Sequence, residues 1–479
     1  MSKNFYITTT LPYVNSEPHL GFAMEIIRAD IIARSKKLQD FDVFFNTGTD
    51  EHGQKIYENA VSAGTDVKSY VDKYAESFKD LKGLLGLSDD LHFIRTTDEH
   101  HIKAAQAFWQ KCLDNDDIYK KNYKVKYCIG CELEKQDSDL EDGKCPVHPN
   151  KELEIREEEN YFFRFSKYQT KLLDLYAKNP NFVLPDFRFN EIKAFVERGL
   201  EDFSISRLKS KMPWGVPVPN DLDHVMYVWF DALVNYISTL GWPEDLTNYE
   251  KYWVNGTPVQ YCGKDNLRQQ SAMWQAMLMS AGLNPSNNIV INGFINAEDG
   301  RKMSKSLGNV VGPKEIIDEY GVDFLRYYVA GELSNFEDSS VSKDRLKEIY
   351  NAKFANGVGN LVSRIMKMAS DNLSSPVSIA ESENMEEYFV HLNNFEISKA
   401  VGFIWEKISE LDSYIQNNQP FKVIKTDKEA GEKMVTELAV GLYSVARILN
   451  PIMPETSTKI KELIKANKTP SSPLFVRKD

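Results

Sequence analysis

Four residues with metal-binding side chains lie close together in the sequence, and their spacing indicates one shared ion. Two residues separate Cys128 from Cys131 and Cys145 from His148, and 13 residues lie between the pairs. Two ligands of one tight turn can reach the same ion, and three thiolates with one imidazole complete a closed, structural zinc site. The alternative is three unrelated thiols and a surface histidine. Four lysines before the cluster either contact nucleic-acid phosphates or are solvated on a ribbon: Lys120, Lys121, Lys124 and Lys126.

A histidine and a glycine stand where a first strand is expected to lead into a helix. Pro18–Phe22 reads PHLGF, and Pro18 is typical of a helix start. A helix N-terminus presents unpaired N–H groups, and Gly21 leaves the backbone open to a base or phosphate. His19 adds a side-chain donor for phosphate oxygens. The alternative is that His19 only caps the helix or packs at its start.

A basic segment much later in the chain suits a mobile loop that closes over a triphosphate. Gly300–Asn309 reads GRKMSKSLGN, with Lys302 and Lys305 three residues apart. Two such lysines can screen the charge that develops on the α-phosphate and on the leaving pyrophosphate. The alternative is a solvated basic loop, and the placement of both motifs on two halves of one sheet argues against it.

These motifs need a sheet to bring them together. Hydrophobic patterning predicts a parallel crossover unit of strand, helix and strand: Phe5–Thr10, His19–Lys37 and Asp42–Asn46. The helix is predicted to be amphipathic, with one apolar side: Leu20, Ile26, Ile27 and Ile31. A second strand, helix and strand follow: Val259–Cys262, Asn266–Ala281 and Ile289–Asn292. Ligands bind at the carboxyl ends of parallel strands, so residues just after Thr10 and Asn46 are expected at the crevice.

The sequence predicts two further regions, an insert that interrupts the sheet and a helical domain in the last part of the chain. The segment at roughly Thr97–His224 holds the cysteine cluster and is predicted to be an inserted domain. Apolar residues recur every three or four positions from about Lys343 to Ile464, which predicts a helical domain. The polar residues Asn467–Asp479 are expected to form a frayed or surface-bound tail.

Composition excludes several classes of protein. With 479 residues, 42% of them apolar and 12% aromatic, the chain is neither disordered nor a single small module. It contains no apolar run of about 18 residues and does not start like a secretory leader, which predicts a cytoplasmic protein with no membrane partner. The net charge of −12 neither proves nor excludes a nucleic-acid partner. Five cysteines are too few for a disulfide scaffold.

Taken together, the motifs resemble a known family. HLGF at His19–Phe22 and KMSKS at Lys302–Ser306 are similar to the signature pair of the class I aminoacyl-tRNA synthetases. Within that class, the chain from Phe5 to about Pro454 resembles the methionyl-tRNA synthetases, through TTTLPYVNSEPHLGF, NTGTDEHGQKI, DFSISR followed by WGVPVP, YVWFDALVNYIS and GRKMSKSLGN.

The resemblance implies an α/β fold, with a Rossmann-like parallel-sheet catalytic domain split by an inserted zinc-knuckle domain and followed by an α-helical anticodon-binding domain. The implied halves of the catalytic domain are 1–115 and 226–298. The implied insert is 116–225, with its knuckle at about 120–155. The KMSKS loop and stem-contact region then occupy 299–342, and the anticodon-binding domain occupies 343–479.

The resemblance also implies an ATP-dependent ligase that activates methionine as methionyl-adenylate and transfers it to the 3′-terminal adenosine of initiator and elongator methionine tRNA. It implies one structural zinc ion, Mg²⁺ bound with ATP, and a monomer. The implied catalytic residues are His19, Lys302 and Lys305. The implied ATP-binding residues are His19, Gly21, Phe22, Lys302, Met303, Ser304, Lys305 and Ser306. The implied methionine-binding residues are Leu11, Tyr13, Asp50, Trp229, Ala232 and Tyr236.

Physical chemistry agrees with the methionine assignment. Asp50 follows the second strand at the crevice and can pair with an α-ammonium group. Trp229 and Tyr236 are seven residues apart, so they can share one helix side and form an apolar wall for a thioether. The alternative is that both aromatic residues belong to an ordinary core. His52 and Gly53 complete the local motif without an assigned role.

Two segments depart from the family pattern. Phe22 stands where a second histidine is usual, so an aromatic face or water replaces the contacts of that histidine with ATP. Asn266, Gln269 and Gln270 replace residues that are an apolar side chain, Phe and His in the familiar bacterial pattern. We therefore expect a more polar or rearranged rear wall in the methionine pocket.

The predicted helical domain contains a candidate for base recognition. Asn360 and Arg364 are one helical turn apart, in a segment whose net charge is +4 from Ser340 to Ala369. The resemblance implies that this turn reads anticodon bases, together with Phe421 where the family commonly has Trp. The alternative is a solvated helix face.

Three other functions compete. A related class I ligase for Leu, Ile or Val normally carries a large editing insertion, for which the segment between the sheet halves leaves no room. A small-molecule adenylate-forming enzyme of the same fold would not need the helical domain. A tRNA-binding or chaperone-like protein with a disabled site is disfavoured by the intact Lys302–Ser306 motif.

Replacing Lys305 tests the predicted role of the basic loop. We expect Lys305→Ala to leave methionine binding nearly intact and to raise the barrier to adenylate formation by about 2–4 kcal/mol, because the charge acts on the transition state. Single-turnover adenylate formation measures this effect, and a normal rate would exclude the role.

Overall fold

The computed structural model describes residues 3–131, 133–135, 139–298, 300–301, 311–379 and 385–479, which group by their contacts into two units. The first unit consists of Met1–Pro18, Asp40–Lys82 and Asp89–Ile291. The second consists of His19–Gln39, Gly83–Ser88 and Asn292–Asp479. In the part of the chain that the structure describes, every helix is too short or too polar to cross a membrane.

Most of the described strands lie in the first unit. They are β1 (Asn4–Thr9), β2 (Asp42–Thr49), β3 (His92–Arg95), β4 (Ile118–Cys128), β5 (Leu133–Lys135), β6 (Glu154–Phe163), β7 (Val183–Leu184), β8 (Phe203–Ser204), β9 (Ser206–Leu208), β10 (Pro217–Val218), β11 (Asp221–Met226), β12 (Thr257–Gly263), β13 (Asn288–Asn292), β14 (Ile295–Asn296) and β15 (Ser339–Ser340).

Helices occur along the whole chain and dominate its last third. They are α1 (Leu20–Leu38), α2 (Gln54–Ser62), α3 (Val67–Lys79), α4 (Leu81–Leu84), α5 (Glu99–Asp114), α6 (Gln169–Lys178), α7 (Asp186–Glu197), α8 (Val228–Ala232), α9 (Asn235–Ser238), α10 (Leu246–Asn248), α11 (Trp274–Ser280), α12 (Pro313–Tyr320), α13 (Val322–Tyr327), α14 (Lys343–Ile349), α15 (Asn360–Asn372), α16 (Glu386–Asn393), α17 (Ile397–Asn418), α18 (Pro420–Thr426), α19 (Lys428–Leu449) and α20 (Pro454–Ala466). Wider, π-helical turns occur at Tyr249–Val254, Gln269–Met273, Tyr328–Glu332 and Tyr350–Gly359.

Six strands form the main sheet, in the order β3, β2, β1, β12, β13 and β7. β1 pairs in parallel with β2 and β12, β2 with β3, and β13 with β7. Five of the six residues of β1 are buried, as expected where both faces of a parallel sheet are covered. The predicted α/β fold with an interrupted Rossmann-like parallel sheet is confirmed.

The second strand is longer than predicted. The sequence predicts its end at Asn46, but β2 continues to Thr49 because Thr47, Gly48 and Thr49 pair with β3. The crevice at the carboxyl end of the sheet therefore begins at Asp50.

The inserted region is built on an antiparallel ribbon. β4 and β6 pair along their length, and β5 and β8 extend them to four strands. β9, β10 and β11 form a second antiparallel sheet. β7 leaves this region and joins the edge of the parallel sheet beside β13, which ties the insert to the sheet that it interrupts. The sequence-based domain boundaries stay a prediction, because both units combine separate segments of the chain.

The helix predicted over Asn266–Ala281 is not continuous. A short 3₁₀ turn at Lys264–Asn266 and a π-helical turn precede α11. Two side chains hold main-chain oxygens of the wide turn, since Gln275 Nε2 donates to Gln270 O at 2.8 Å and Tyr176 Oη donates to Ser271 O at 2.7 Å. These hydrogen bonds favour the wider turn over a regular helix.

α1 differs from the predicted amphipathic helix, because charged residues outside its apolar side are also buried. Leu20 and the predicted isoleucines are buried, and so are Glu25, Arg28 and Asp30. The Arg28 guanidinium donates to Asn292 Oδ1 at 2.9 Å and to the main-chain oxygens of Val329, Leu333, Ser334 and Asn335. Hydrogen bonding of this kind makes a fully buried arginine tolerable.

Asp30 of α1 forms a buried ion pair. Its Oδ2 lies 2.7 Å from Nη2 of Arg326, and both side chains are fully buried. Arg34 Nε lies 2.7 Å from the same oxygen, and Ser88 donates to Oδ1. Burial alone would raise the pKa of Asp30, but Arg326, Arg34 and Ser88 outweigh it and hold that pKa below its ordinary value.

The helical character predicted after Lys343 is confirmed among the described residues. The terminal segment, expected to be frayed or surface-bound, is bound in this structure. Lys478 N donates to Asn351 Oδ1 at 2.9 Å, and Asn351 Nδ2 donates to Lys478 O at 2.8 Å. The ring of Phe475 packs edge-on against Phe354 at 4.8 Å. These contacts fix the segment on the π-helical turn before α15.

Removing the Asp30 carboxylate tests the buried ion pair. We expect Asp30→Asn to reduce the free energy of unfolding by about 3–5 kcal/mol, because Arg326 would keep a buried charge without its carboxylate. Urea unfolding followed by circular dichroism measures the change. Lys314→Gln is the control, since Lys314 and Asp318 form an exposed pair at 2.9 Å, and its loss should stay below about 1 kcal/mol. Equal losses in the two variants would contradict the assignment.

Candidate functional site

Two loops meet at the carboxyl end of the parallel sheet and carry three predicted methionine-binding residues. Tyr13 and Asp50 form a parallel bridge, in which Asp50 N donates to Pro12 O at 2.9 Å and Val14 N donates to Asp50 O at 3.2 Å. Leu11 and Asp50 are buried. The loops after β1 and β2 therefore place a carboxylate, a phenol ring and an apolar side chain in one small region.

Glu51 fixes the backbone beside Asp50. Its two carboxylate oxygens lie 2.6 and 2.8 Å from Nε and Nη2 of Arg95, a bidentate pair. Thr49 and Thr97 each donate to the same carboxylate at 2.6 Å. Trp214 Nε1 donates to Glu51 O at 2.6 Å. The carboxylate and the carbonyl of Glu51 therefore position the backbone beside Asp50 and do not serve a ligand.

The two residues of the predicted aromatic wall, Trp229 and Tyr236, lie on separate short helices. The sequence places Trp229 and Tyr236 on one helix side, but the structure has two short helices, α8 and α9. Asn235 Nδ2 donates to Ala232 O at 2.6 Å and so competes with the helical hydrogen bonds at the break. The single-helix prediction was therefore wrong.

Trp229 still contributes to the same region. Its ring meets the ring of Tyr13 edge-on, with centroids 6.5 Å apart. Within the described residues its indole N–H is buried and has no hydrogen-bond partner. Ala232 and Tyr236 are buried. A buried, unpaired donor beside a carboxylate and aromatic rings suits a small ligand that is both polar and apolar.

The three polar substitutions in the expected rear wall have different surroundings. Gln270 is buried, donates from Nε2 to Tyr236 Oη at 2.5 Å, and accepts from Gln260 Nε2 at 2.8 Å. Ser286 donates to Gln260 Oε1 and accepts from Gln275 Nε2 at 3.1 Å. The Gln270 carboxamide thus belongs to a buried network that binds the Tyr236 hydroxyl.

Gln269 and Asn266, the other two substituted residues, make fewer hydrogen bonds than Gln270. Gln269 is buried, and its Oε1 has no hydrogen-bond partner among the described residues. Asn266 is half-buried and donates to Asp265 Oδ1 at 3.4 Å. A more polar rear wall of the pocket therefore stays a prediction that rests mainly on Gln269.

His19 caps α1 with its ring. Its imidazole Nδ1 accepts from Gly21 N at 3.1 Å, and its carbonyl accepts from Phe22 N and Ala23 N. Because Nδ1 is the acceptor, a neutral ring carries its proton on Nε2. His19 is exposed, Gly21 is half-buried and Phe22 is buried. His19 therefore caps the helix, and this cap is compatible with a donor role for Nε2, which stays a prediction.

The basic motif lies outside the described residues. Lys302, Met303, Ser304, Lys305 and Ser306 were all predicted to bind ATP, and their roles stay predictions from the sequence.

The structure brings the four predicted metal ligands together. Their ligand atoms lie within 4.8 Å of one another: Cys128, Cys131, Cys145 and His148. The Cys131 sulfur lies 3.4 Å from that of Cys145 and 3.2 Å from His148 Nδ1. Ligands bound to one zinc ion at about 2.0–2.3 Å are separated by comparable distances.

The local backbone supports this metal centre. A Cβ on Gly130 would lie 2.5 Å from Cγ of His148, so this glycine allows the imidazole to approach the first cysteine turn. His148 N donates to Cys145 O at 3.1 Å, which closes the second turn. The donor set and its spacing fit a closed, four-coordinate zinc ion. Cys128 and Cys145 are buried, so the centre has little access for a substrate.

The lysines before the metal centre are partly neutralised by acidic residues. Lys120 Nζ lies 2.8 Å from Asp221 Oδ2, and Lys124 Nζ lies 3.8 Å from Glu157 Oε2 across the ribbon. Lys121 Nζ lies 5.5 Å from the centre of the Phe162 ring. The observed contacts favour a solvated ribbon over a dedicated phosphate site.

The anticodon candidates occupy the helices of the second unit. Asn360 is the exposed first residue of α15, and Arg364 follows one turn later. A Cβ on Gly359 would lie 2.9 Å from Phe354 O, so this glycine permits the tight entry into α15. Arg364 forms an ion pair with Asp412 of α17, which the sequence did not predict. Phe421 lies near the start of α18 and is 44% exposed, as a base-stacking ring would require.

Sequence reasoning missed the partners of the residues after β2. A run of Asp, Glu and His directly after a buried strand was an available signal, since buried charges need partners. The partners themselves were not deducible, because Arg95 and Trp214 lie 44 and 163 residues from Glu51 in the chain.

Comparison with known proteins identifies the family. A family model described as "tRNA synthetases class I (M)" matches residues 5–152 and 130–366. The methionine–tRNA ligase of Thermotoga maritima is 39% identical, over 98% of this chain and 76% of that protein. The methionine–tRNA ligase of Synechocystis sp. is also 39% identical, over 95% of this chain and 88% of that protein. The chain belongs to the class I (M) tRNA synthetases.

A solved structure of the family agrees with this membership. The methionyl-tRNA synthetase of Mycobacterium tuberculosis in complex with methionyl-adenylate matches with a TM-score of 0.89 at 36% identity, covering 97% of this chain and 94% of that chain. The resemblance predicted from the paired motifs is confirmed. The roles of individual site residues stay predictions.

The metal centre can be tested directly. We expect purified protein to contain one zinc ion per chain and Cys131→Ser to lose it, because a thiolate ligand is replaced by a poor one. Metal analysis by mass spectrometry measures the zinc content, and limited proteolysis shows whether the inserted ribbon stays folded. Cys112→Ala is the control, since Cys112 is buried outside the cluster. Zinc-free wild-type protein, or full zinc content in Cys131→Ser, would contradict the assignment.

Proposed function

We propose that this chain is a methionine–tRNA ligase, which activates methionine with ATP and transfers it to the 3′-terminal adenosine of initiator and elongator methionine tRNA. One observation carries the proposal: a buried carboxylate, Asp50, lies beside an edge-to-face pair of Tyr13 and Trp229 at the carboxyl end of the parallel sheet. The family membership and the relative solved with methionyl-adenylate support it.

The amino acid site combines one charge with an apolar wall. Asp50 pairs with the α-ammonium group of methionine, and Leu11, Tyr13, Trp229, Ala232 and Tyr236 surround the side chain. Aromatic rings and a thioether are polarizable and pack well together. The network behind Tyr236 fixes its ring, which makes the wall rigid and favours one side-chain shape.

The ATP site is assigned from the sequence and from the cap of α1. His19 donates from Nε2 to a phosphate oxygen while its Nδ1 holds Gly21 N. Gly21 and Phe22 contact the nucleotide, and Met303, Ser304 and Ser306 complete the loop that carries Lys302 and Lys305. Mg²⁺ bound with ATP would neutralise phosphate charge.

The reaction needs no side-chain nucleophile. A carboxylate oxygen of methionine attacks the α-phosphorus of ATP, the bond to the bridging oxygen breaks, and pyrophosphate leaves with the electron pair. A ribose hydroxyl of the terminal adenosine then attacks the acyl carbon, the bond between that carbon and the phosphate oxygen breaks, and AMP leaves with the electron pair as the hydroxyl proton is released. The protein contributes positioning by Asp50 and charge stabilisation by His19, Lys302 and Lys305.

The remaining assignments concern tRNA recognition, the zinc ion, the oligomeric state and the cellular location. Asn360, Arg364 and Phe421 read anticodon bases, with Phe421 offering a stacking face worth about 1–3 kcal/mol. One zinc ion holds the inserted ribbon through Cys128, Cys131, Cys145 and His148. A monomeric state and a cytoplasmic location stay predictions.

Exchange of radioactive pyrophosphate into ATP tests the proposed function. Each of the twenty amino acids is supplied separately to the purified protein, without tRNA, and methionine alone should support rapid exchange. Transfer of radioactive methionine to tRNA bearing the CAU anticodon should follow. Asp50→Asn should raise the KM for methionine about tenfold or more, because the buried ammonium would lose a charged partner.

The competing functions give different results. Exchange with another amino acid would indicate a different class I synthetase. Exchange with methionine but no transfer to tRNA would favour a small-molecule adenylate-forming enzyme. Absence of exchange with all twenty amino acids would favour a binding protein with a disabled site.

Replacing Arg364 tests the anticodon assignment. We expect Arg364→Ala to raise the KM for tRNA with the CAU anticodon and to weaken its preference over altered anticodons, while tRNA-independent pyrophosphate exchange stays unchanged. Phe421→Trp should be tolerated and Phe421→Ala should not, because only the aromatic ring provides a stacking face. Loss of exchange together with aminoacylation would show that Arg364 supports the fold through Asp412 instead.

A further inference from the structure

His52 completes the motif after β2 and contacts the opposite side of the candidate methionine site. Its Nδ1 lies 3.1 Å from Oδ2 of Asp231, and both side chains are at least 95% buried. Asp231 belongs to α8, two residues after Trp229 and one residue before Ala232. His52 lies two residues after Asp50, and its N–H is 3.5 Å from Asp50 Oδ1. One hydrogen bond thus joins the carboxylate side of the site to its apolar side.

The surroundings of the His52–Asp231 pair show why each residue depends on the other. The ring of Trp214 packs against the His52 imidazole, with centroids 5.8 Å apart. Within the described residues, Asp231 Oδ1 is buried and has no hydrogen-bond partner. Burial raises the pKa of Asp231, and His52 opposes that shift. His52 is therefore the contact that compensates the burial of this carboxyl group.

Glu51 does not duplicate this connection. Its carboxylate is bound by Arg95 and by two threonines, and its carbonyl by Trp214. These bonds fix the backbone at Asp50, but they do not reach α8. The His52–Asp231 bond adds a direct link between the Asp50 loop and α8, beside the contact of Tyr13 with Trp229. Each partner is only one or two residues from a residue that is proposed to contact the amino acid.

We propose that His52 and Asp231 are a positioning pair for methionine, which holds Asp50 and α8 at the separation that one bound amino acid requires. The proposal rests on the proposed function of the chain. Buried polar pairs of this kind specify geometry more than they add stability. Loss of the pair should weaken methionine binding selectively, because none of the residues proposed to bind ATP belongs to the loop after β2 or to α8.

Two amide substitutions separate positioning from general support of the core. The amide nitrogen of asparagine lies near the position of histidine Nδ1, whereas that of glutamine lies near Nε2. His52→Asn can therefore keep the bond to Asp231, and His52→Gln moves the donor away from it. Both variants remove the ring and its packing against Trp214 to a similar extent.

The chain offers a control in another pair of a buried histidine and a carboxylate. His224 Nδ1 also lies 3.1 Å from a carboxylate oxygen, Oδ2 of Asp221, and its side chain is 4% exposed. This pair lies on β11, outside the methionine-binding residues proposed above. His224→Gln should lower thermal stability but leave the KM for methionine unchanged.

Pyrophosphate exchange with methionine and with ATP as the varied substrate provides the measurement. We expect His52→Gln to raise the KM for methionine about 10- to 100-fold, with a change below about twofold in the KM for ATP. His52→Asn should stay within about threefold of wild type. Methionine binding without ATP, followed by tryptophan fluorescence, should show the same order of affinities.

The results that overturn the proposal are distinct from those that overturn the function. An active wild type together with equal KM values for methionine in His52→Gln and His52→Asn would exclude the positioning role alone. Equal effects on the KM for ATP and for methionine would also exclude it. A wild type without methionine-dependent exchange would overturn both the function and this pair's role. If His52→Gln does not fold, Asp231→Ala takes its place, and an unchanged KM for methionine in that variant would exclude the proposal.

Discussion

The chain that leaves β2 carries Asp50, Glu51 and His52 into the protein interior, where each polar side chain must find a partner because buried charge is unfavourable without one. Arg95 meets Glu51, and Asp231 meets His52. Asp50 shares a backbone bridge with Tyr13 and is proposed to meet the substrate ammonium. The requirement for partners therefore draws β3, α8 and the loop after β1 around one point.

The same requirement organises the second unit. Asp30 and Arg326 are fully buried and lie 2.7 Å apart, and Arg28 donates to several main-chain oxygens. These bonds connect α1 with α13 and with the turn that ends at Glu332. These directional, buried hydrogen bonds hold α1, the helix that is capped by the proposed phosphate-binding residue His19.

The inserted ribbon has a different source of order. β4 and β6 expose many charged residues, and opposite charges face each other across the strands, as at Lys124 and Glu157. Exposed pairs of this type contribute little stability. A metal ion bound by the four clustered ligands at the end of the ribbon would add stability that the exposed ion pairs do not supply.

Much of the local information was present in the sequence. Its hydrophobic patterning predicted the parallel sheet, the interruption between β3 and β12, and the helical end of the chain, because these patterns repeat over short distances. Cys128, Cys131, Cys145 and His148 were predicted as one centre because ligand spacing within two tight turns is a local property. The paired motifs indicated the family for the same reason.

Only the tertiary structure decided the long-range partners. At the break between α8 and α9, the Asn235 side chain donates to Ala232 O, and in α1 the charged residues Arg28 and Asp30 are buried although the sequence predicted one apolar side. The sequence predicted that Gln270 makes the rear wall of the methionine pocket more polar, yet its amide is bound to Gln260 and Tyr236. The pairing of His52 with Asp231 spans 179 residues of sequence. Sequence patterns report which residues are polar or apolar, whereas the partner of a buried polar group depends on how distant segments pack in three dimensions.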